Sequence, residues 1–296
     1  MFLKMPSPSC IIDEGGGLGM ERLAAILIIF CLLLLVTLPG LVYNLGSGLV
    51  HAVHQVLFAW ETRGWNTVES EHFLVKYRQG DEEIAVLTLN EAERVYYPLG
   101  QYFGCFPDKK VQIAIYQDRA SLNRVFGWGS DEGAMGVYWS GVIRLLSPNE
   151  WLDELPSEER DAFFCQQGPI AHEYIHLLVD YQTRGNYPRW LTEGLAQFGE
   201  RHLVGVQAEE GVDLPLQFSL DELNKRFDDS QWQDYCYAVS EDLVEYLINN
   251  YGSDRVPLLL NELGRGADLD ISFNRVYGLD THGFIEQYQS RIKQNV

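Results

Sequence analysis

The sequence predicts an α+β domain in which a small mixed sheet precedes a helical C-terminal half, with one apolar helix ahead of both. Three observations support this class. Short stretches with β-type patterns occur before residue 147, whereas helical periodicity dominates beyond Pro156. An uninterrupted apolar run occupies residues 23–43. The chain has 296 residues, of which 46% are hydrophobic, so it can bury a substantial core.

Local patterns predict the elements of the domain. The expected strands, the last two forming a hairpin, cover residues 72–77, 111–116, 136–139 and 141–146. The expected long helices cover residues 81–103, 158–165, 169–182, 190–203, 220–227, 232–251, 253–263 and 281–293. Gly104 ends the first of these helices, and a short additional helix starts at Asp118.

The apolar run at residues 23–43 contains no charged residue. About 20 apolar residues, at 1.5 Å rise per residue, cover the ~30 Å hydrocarbon core of a bilayer. We therefore expect a transmembrane helix or signal anchor, with secretion after signal cleavage as the alternative. The run separates an N-terminal tail at 1–22, in which Met20 is a second possible start, from a juxtamembrane linker at 44–65 and a domain at 66–296.

Basic residues near the run predict its orientation. Arg22 adjoins its N-terminal end, whereas the first basic residue beyond it is Arg63. The positive-inside rule then places the N-terminus in the cytoplasm and the domain outside. In the linker, His51 and His54 are assigned to an interfacial helix at residues 50–57 rather than to a metal site.

Net charge and cysteine content exclude some classes of protein. The formal net charge is -20, and such a field repels a phosphate backbone, so nucleic acid is excluded as a partner. No two of the five cysteines are spaced C-x-x-C, which argues against a cysteine zinc site. Cys105, Cys165 and Cys236 can form at most one disulfide among themselves.

The segment from His172 to His176 reads H-E-x-x-H within a predicted helix. Residues four apart on a helix differ by about 40° in azimuth, so the two imidazoles point the same way and can share one ion. Glu173 is turned by about 100° from His172, which lets its carboxylate reach a water at that ion without ligating the ion. This spacing is what zinc-dependent hydrolysis requires.

A catalytic zinc ion needs a third protein ligand. Glu193 is the best candidate, because the small residues Gly194 and Ala196 beside it would let its helix approach the first helix closely. Glu200 lies seven residues further along the same helix and is the rival ligand.

The H-E-x-x-H segment is followed, 16 residues later, by W-L-T-E-G-L-A at residues 190–196. This combination resembles the gluzincin metallopeptidases, specifically the peptidase MA-like family, over roughly residues 66–265. The resemblance implies a thermolysin-like zincin architecture. It also implies one Zn²⁺ held by His172, His176 and Glu193, with Glu173 as the general base. The expected substrate is a peptide or protein.

Other residues bear on how far the resemblance extends. The segment before the hairpin resembles the exopeptidase signature of gluzincin aminopeptidases, but Gly136 stands where those enzymes have a glutamate, which favours internal cleavage. Tyr237 matches the position of a tyrosine that stabilises the oxyanion, with Tyr235 as the alternative. Asp180 either orients an imidazole or lies on the surface of the last helical turn.

Three other functions compete with that of a soluble-domain peptidase. A catalytically inactive binding module and a hydrolase acting on a substrate other than a peptide are both compatible with the fold, and Glu173→Gln would separate them from a peptidase. An intramembrane protease is disfavoured, because charges at residues 158–161 and at Asp180 enclose the motif within fewer than ~20 residues.

Overall fold

The computed structural model describes residues 39–129, 133–205 and 214–294. The predicted tail and residues 23–38 of the predicted transmembrane helix lie outside this part of the chain. Among the described residues, no helix combines the length and the apolar character that a bilayer crossing requires. The transmembrane helix therefore stays a prediction.

The described chain begins with helix α1, Pro39–Glu61, which is much longer than the predicted interfacial helix. It packs on the domain through Phe58, whose side chain is fully buried. Phe58 shares a hydrophobic cluster with Ala114, Val142 and Leu146 of the sheet. The segment expected to be a linker is thus a helix that covers one face of the sheet.

Five strands form one mixed sheet in the order β1-β2-β3-β5-β4. Their bounds are Asn66–Glu69 (β1), Phe73–Tyr77 (β2), Val111–Tyr116 (β3), Gly136–Trp139 (β4) and Val142–Leu146 (β5). The two central pairings, β2 with β3 and β3 with β5, are parallel. The outer strands β1 and β4 pair antiparallel to their neighbours. The expected small mixed sheet and its hairpin are confirmed, and β1 was missed because its four mostly exposed residues show no alternation.

Successive residues of the central strands pack into two different hydrophobic cores, one on each face of the sheet, because side chains on a strand alternate between faces. Ile113, Ile143 and Leu145 join the main core with the helices that follow the sheet. Ala114 and Val142 lie on the opposite face with Phe58 of α1. The sheet is therefore buried on both faces, as expected for its parallel centre.

The remaining helices confirm the helical C-terminal half. They are Glu82–Phe103 (α2), Arg119–Phe126 (α3), Pro148–Trp151 (α4), Ser157–Gln167 (α5), Ile170–Thr183 (α6), Arg189–His202 (α7), Leu220–Arg226 (α8), Gln233–Tyr251 (α9), Arg255–Gly264 (α10), Leu269–Tyr277 (α11) and Thr281–Gln294 (α12). Gly104 ends α2 with a left-handed φ of 66°, and Asp118 caps α3 through the Ser121 amide, as predicted. The short helices α4 and α11 were not predicted.

Cysteines do not crosslink the described fold. Cys105, Cys165 and Cys236 are all free thiols. Burial raises the pKa of the Cys105 thiol to about 11, so this sulfur stays protonated at neutral pH. The stability of the described chain therefore rests on packing rather than on disulfides.

Helix α7 lies between α6 and α9, and a glycine permits close contact on each side. A Cβ atom at Gly199 would lie 2.3 Å from Ile175 Cδ1 on α6, and one at Gly194 would lie 2.2 Å from the Ser240 carbonyl oxygen on α9. The prediction that Gly194 admits α6 is therefore wrong. Positions 194 and 199 are about 140° apart around the helix, so they face different neighbours.

Replacing Gly194 with alanine is expected to lower the free energy of unfolding by ~2 kcal/mol or more. Helix propensity alone would favour alanine by about 1 kcal/mol, but the added methyl group would meet backbone that cannot rotate away. Gly48→Ala on α1 is the matched control, because that glycine is also helical but nothing lies within 4 Å of its position. Chemical denaturation measures the free energy of unfolding of both variants. An equal decrease in the two would contradict the tight α7–α9 contact.

Candidate metal centre

Helices α6 and α7 bring three potential ligands together. The imidazoles of His172 and His176 lie side by side on α6, with ring centroids 4.6 Å apart. Oε2 of Glu193 on α7 is 3.4 Å from Nε2 of His172 and 3.3 Å from Nε2 of His176. One donor atom from each of the three residues lies within 4.8 Å of the others, so the group can hold a metal ion.

The environment of Glu193 tests whether these residues fit a cation. Its Oε2 is buried and accepts no hydrogen bond from the described residues, whereas its Oε1 accepts one of 3.4 Å from Nε of Arg189. Burial alone would raise the pKa of Glu193, but the facing His176 and His172 hold it far below its usual range. A buried carboxylate oxygen that faces two imidazole nitrogens, and has no donor of its own, is well matched to a divalent cation. Two nitrogens and one oxygen form the donor set of a catalytic zinc site.

Each imidazole is fixed through its other nitrogen. Nδ1 of His172 lies 3.0 Å from Oε2 of Glu200, and Nδ1 of His176 lies 2.7 Å from Oγ1 of Thr192. These contacts direct both Nε2 atoms toward Glu193, as partners behind metal-binding histidines commonly do. Glu200, the rival ligand in the sequence, therefore contacts the far side of a ring instead. Thr192 was missed, because nothing in the sequence distinguishes it from other helical threonines.

The same contacts change the protonation of His172. Burial lowers its pKa, but the nearby carboxylates of Glu200 and Glu193 overcome this effect and raise the pKa well above its ordinary value. A proton on His172 and a cation at its Nε2 therefore compete for the same position.

Glu173 lies beside the three ligand candidates and is itself buried. Its Oε2 accepts a hydrogen bond of 2.5 Å from the backbone amide of Tyr138 on β4. Burial raises the pKa of Glu173, and the charge of Glu193 adds to the effect, although the imidazoles of His172 and His176 oppose it. A glutamate whose pKa is raised toward neutrality is suited to accept and return a proton.

Gly136 allows strand β4 to approach α6 this closely. A Cβ atom at this position would lie 2.7 Å from Pro169 Cβ and 2.9 Å from Glu173 Cγ. Any larger residue would therefore press on the carboxylate that Tyr138 holds. A glutamate, which the aminopeptidase signature has at this position, would meet the same two residues.

The two candidate tyrosines on α9 differ in their surroundings. Burial raises the pKa of Tyr237, and its hydroxyl also interacts with the charges of Glu193, His172 and Arg189. Tyr235 instead donates to the carbonyl oxygen of Pro215, 2.8 Å away, and accepts from a neighbouring amide. Of this pair, Tyr237 is therefore the one whose hydroxyl interacts with charges of the ligand group.

Neither predicted role of Asp180, orienting an imidazole of the metal site or lying on the surface, agrees with the structure. Asp180 is 6% exposed, so it is not a surface residue of the last turn. Its Oδ2 lies 2.9 Å from Nε2 of His51 and accepts a hydrogen bond from the hydroxyl of Tyr138. It therefore orients an imidazole of α1 and not His172 or His176. This pairing could not be predicted from sequence, because His51 and Asp180 are 129 residues apart.

Comparison with known proteins bears on the C-terminal part of the chain. A search of curated proteins finds no significant match. A family model, described as Peptidase MA superfamily, matches residues 159–294, a segment that begins in α5 and contains the ligand candidates, Glu173 and Tyr237. This match supports placing the segment with the peptidase MA-like, zincin-like families, whose members are usually metal-dependent.

Proposed function

We propose that the chain is a membrane-anchored zinc metallopeptidase that cleaves peptide bonds within a polypeptide. The buried Oε2 of Glu193, facing Nε2 of both His172 and His176, is the observation that carries the proposal. These three residues would hold the zinc ion. The match of residues 159–294 to the Peptidase MA superfamily supports the reaction class.

The bound ion would acidify a water molecule and polarise the scissile carbonyl group. Glu173 accepts the water proton at Oε1, because its Oε2 is engaged by the Tyr138 amide. The same carboxyl group then delivers that proton to the leaving nitrogen. Tyr237 donates its hydroxyl proton in a hydrogen bond to the developing oxyanion, and its raised pKa keeps that hydroxyl protonated at neutral pH.

The edge strand β4 suits an extended polypeptide substrate. Among the described strands it pairs with β5 only, and on its other edge the Tyr138 amide is bonded to Glu173. A peptide would pair with the remaining backbone groups of that edge. Gly136 offers no carboxylate to bind a free amino terminus, and the contact with Glu173 leaves no room for one. The proposed cleavage is therefore internal. The anchor is the apolar run at residues 23–43, and the domain lies on the extracytoplasmic side.

The full-length protein is expected to bind one zinc ion per chain, with Glu193→Gln lowering the affinity far more than Glu200→Gln. Removing a ligand eliminates a coordinate bond, whereas removing a partner behind a histidine typically costs about 10- to 100-fold in affinity. Competition with a chromophoric chelator measures the zinc affinity of the wild type and of both variants. Absence of zinc binding by the wild type, or a greater loss in Glu200→Gln, would contradict the ligand assignment.

Glu173→Gln is expected to abolish peptide-bond cleavage while zinc binding is retained. The amide oxygen can still accept from Tyr138, but the side chain can no longer take up a proton, a loss of about 10²- to 10⁴-fold or more. Mass spectrometry of a peptide-library digest reports both the rate and the position of the new termini. Wild-type activity in the variant would exclude this mechanism, and a wild type without activity would favour the binding module.

Tyr237→Phe is expected to lower kcat by about 10²-fold with little change in KM, because the lost hydrogen bond forms only in the transition state. Tyr235→Phe is the control on the same helix, since its hydroxyl is engaged by the Pro215 carbonyl. Steady-state kinetics of both variants tests the assignment. Equal effects of the two substitutions on kcat would contradict the assignment of Tyr237 to the oxyanion.

A further inference from the structure

One face of α1 is apolar and exposed to the surroundings. Six large apolar side chains project from it: Leu49, Val50, Val53, Val56, Leu57 and Trp60. At about 100° per residue, they fall within a sector of roughly 120°. None of the exposed residues between positions 48 and 60 is charged, although the chain as a whole carries a formal net charge of -20. A helix face in contact with water normally carries charged residues.

The opposite face of α1 binds the catalytic half of the molecule. Phe58 is buried against the sheet, and His51 contacts Asp180 of α6. His54 accepts a hydrogen bond of 3.1 Å from the indole nitrogen of Trp139 on β4. Between positions 48 and 61 the polar residues are thus directed inward, and the apolar residues other than Phe58 are directed outward. This distribution is the reverse of that in a soluble surface helix.

We propose that the exposed face of α1 lies in the interfacial layer of a lipid bilayer. The chain reaches α1 directly from residues 23–38, a run of 16 uncharged and mainly apolar residues, so one nonpolar phase can accommodate both segments. Since the face has no basic residues, apolar burial drives the contact and anionic lipids are not required. Trp60, near the end of the helix, is a residue type that favours the headgroup level.

The contact would place the substrate strand close to the membrane. Trp139 on β4 is half exposed and touches His54 of α1, while its neighbour Tyr138 holds Glu173. Consecutive residues on a strand are only about 3.3 Å apart along its axis. The preferred substrate is then a polypeptide segment presented at the bilayer surface, an inference that rests on the proposed peptidase function.

Photocrosslinking of the full-length chain in phosphatidylcholine nanodiscs tests the membrane contact. A photoreactive residue replaces Leu57, which is 54% exposed, or, as a matched control, Leu258 on α10, which is 53% exposed. We expect lipid adducts at position 57 and few at position 258. Adducts of position 57 with a second copy of the chain, or with residues 23–38 of the same chain, would overturn the proposal. Equal lipid labelling at both positions would do so as well.

Cleavage assays test the substrate class separately. The double variant Leu57→Gln and Trp60→Gln should cleave a lipid-tethered peptide several-fold more slowly than the wild type, with an unchanged rate on the same peptide free in solution. Leu258→Gln should leave both rates unchanged. An unaltered rate on the tethered peptide would overturn the inferred preference. Absence of cleavage by the wild type would instead refute the peptidase function, while the crosslinking result would still decide the membrane contact.

Discussion

The central constraint in this structure is a buried carboxylate oxygen placed between two imidazole nitrogens. Burying the charge of Glu193 costs several kcal/mol unless an opposite charge compensates it. Among the described residues Oε2 accepts no hydrogen bond, and Nε2 of His172 and of His176 lie 3.4 and 3.3 Å from it. Arg189 compensates the charge at Oε1, where its Nε lies 3.4 Å away. Protons on the two rings or a divalent cation would neutralise the charge at Oε2. The raised pKa of His172 reflects the first of these states, and the proposed zinc ion is the second.

Tight packing of three helices maintains this arrangement. Gly199 admits Ile175 of α6 on one side of α7, and Gly194 admits the Ser240 carbonyl of α9 on the other. Because α7 packs closely against a helix on both sides, the backbone at Glu193 cannot easily move away from the histidines. The hydrogen bonds of Glu200 and Thr192 then fix the rings that face it. Packing thus sets the geometry of the site before any ion arrives, which reduces the reorganisation needed on binding.

The parts of the fold that could be predicted from sequence are those with local physical signals. Alternation of apolar residues located β2, β3 and the hairpin, and helical spacing located the ligand pair on α6. Contacts between distant segments gave no such signal. The partner of Asp180 is 129 residues away, and Thr192 acts on a ring across a helix pair. Sequence alone also assigned Gly194 to the wrong neighbour, since a small residue does not reveal which helix it faces.

The contacts of α1 show that the folded unit begins before residue 66, where the sequence predicts the start of the domain. Tyr138 holds Glu173 through its amide and Asp180 through its hydroxyl, and Asp180 in turn binds His51. A fragment lacking α1 would leave Asp180 with one partner fewer in a buried position, and a buried carboxylate that loses a partner is strongly destabilising. It would also expose the sheet face that Phe58 covers. The helix that leads from the apolar run is therefore a structural part of the folded unit that contains the candidate site, because it contacts the strand that holds Glu173.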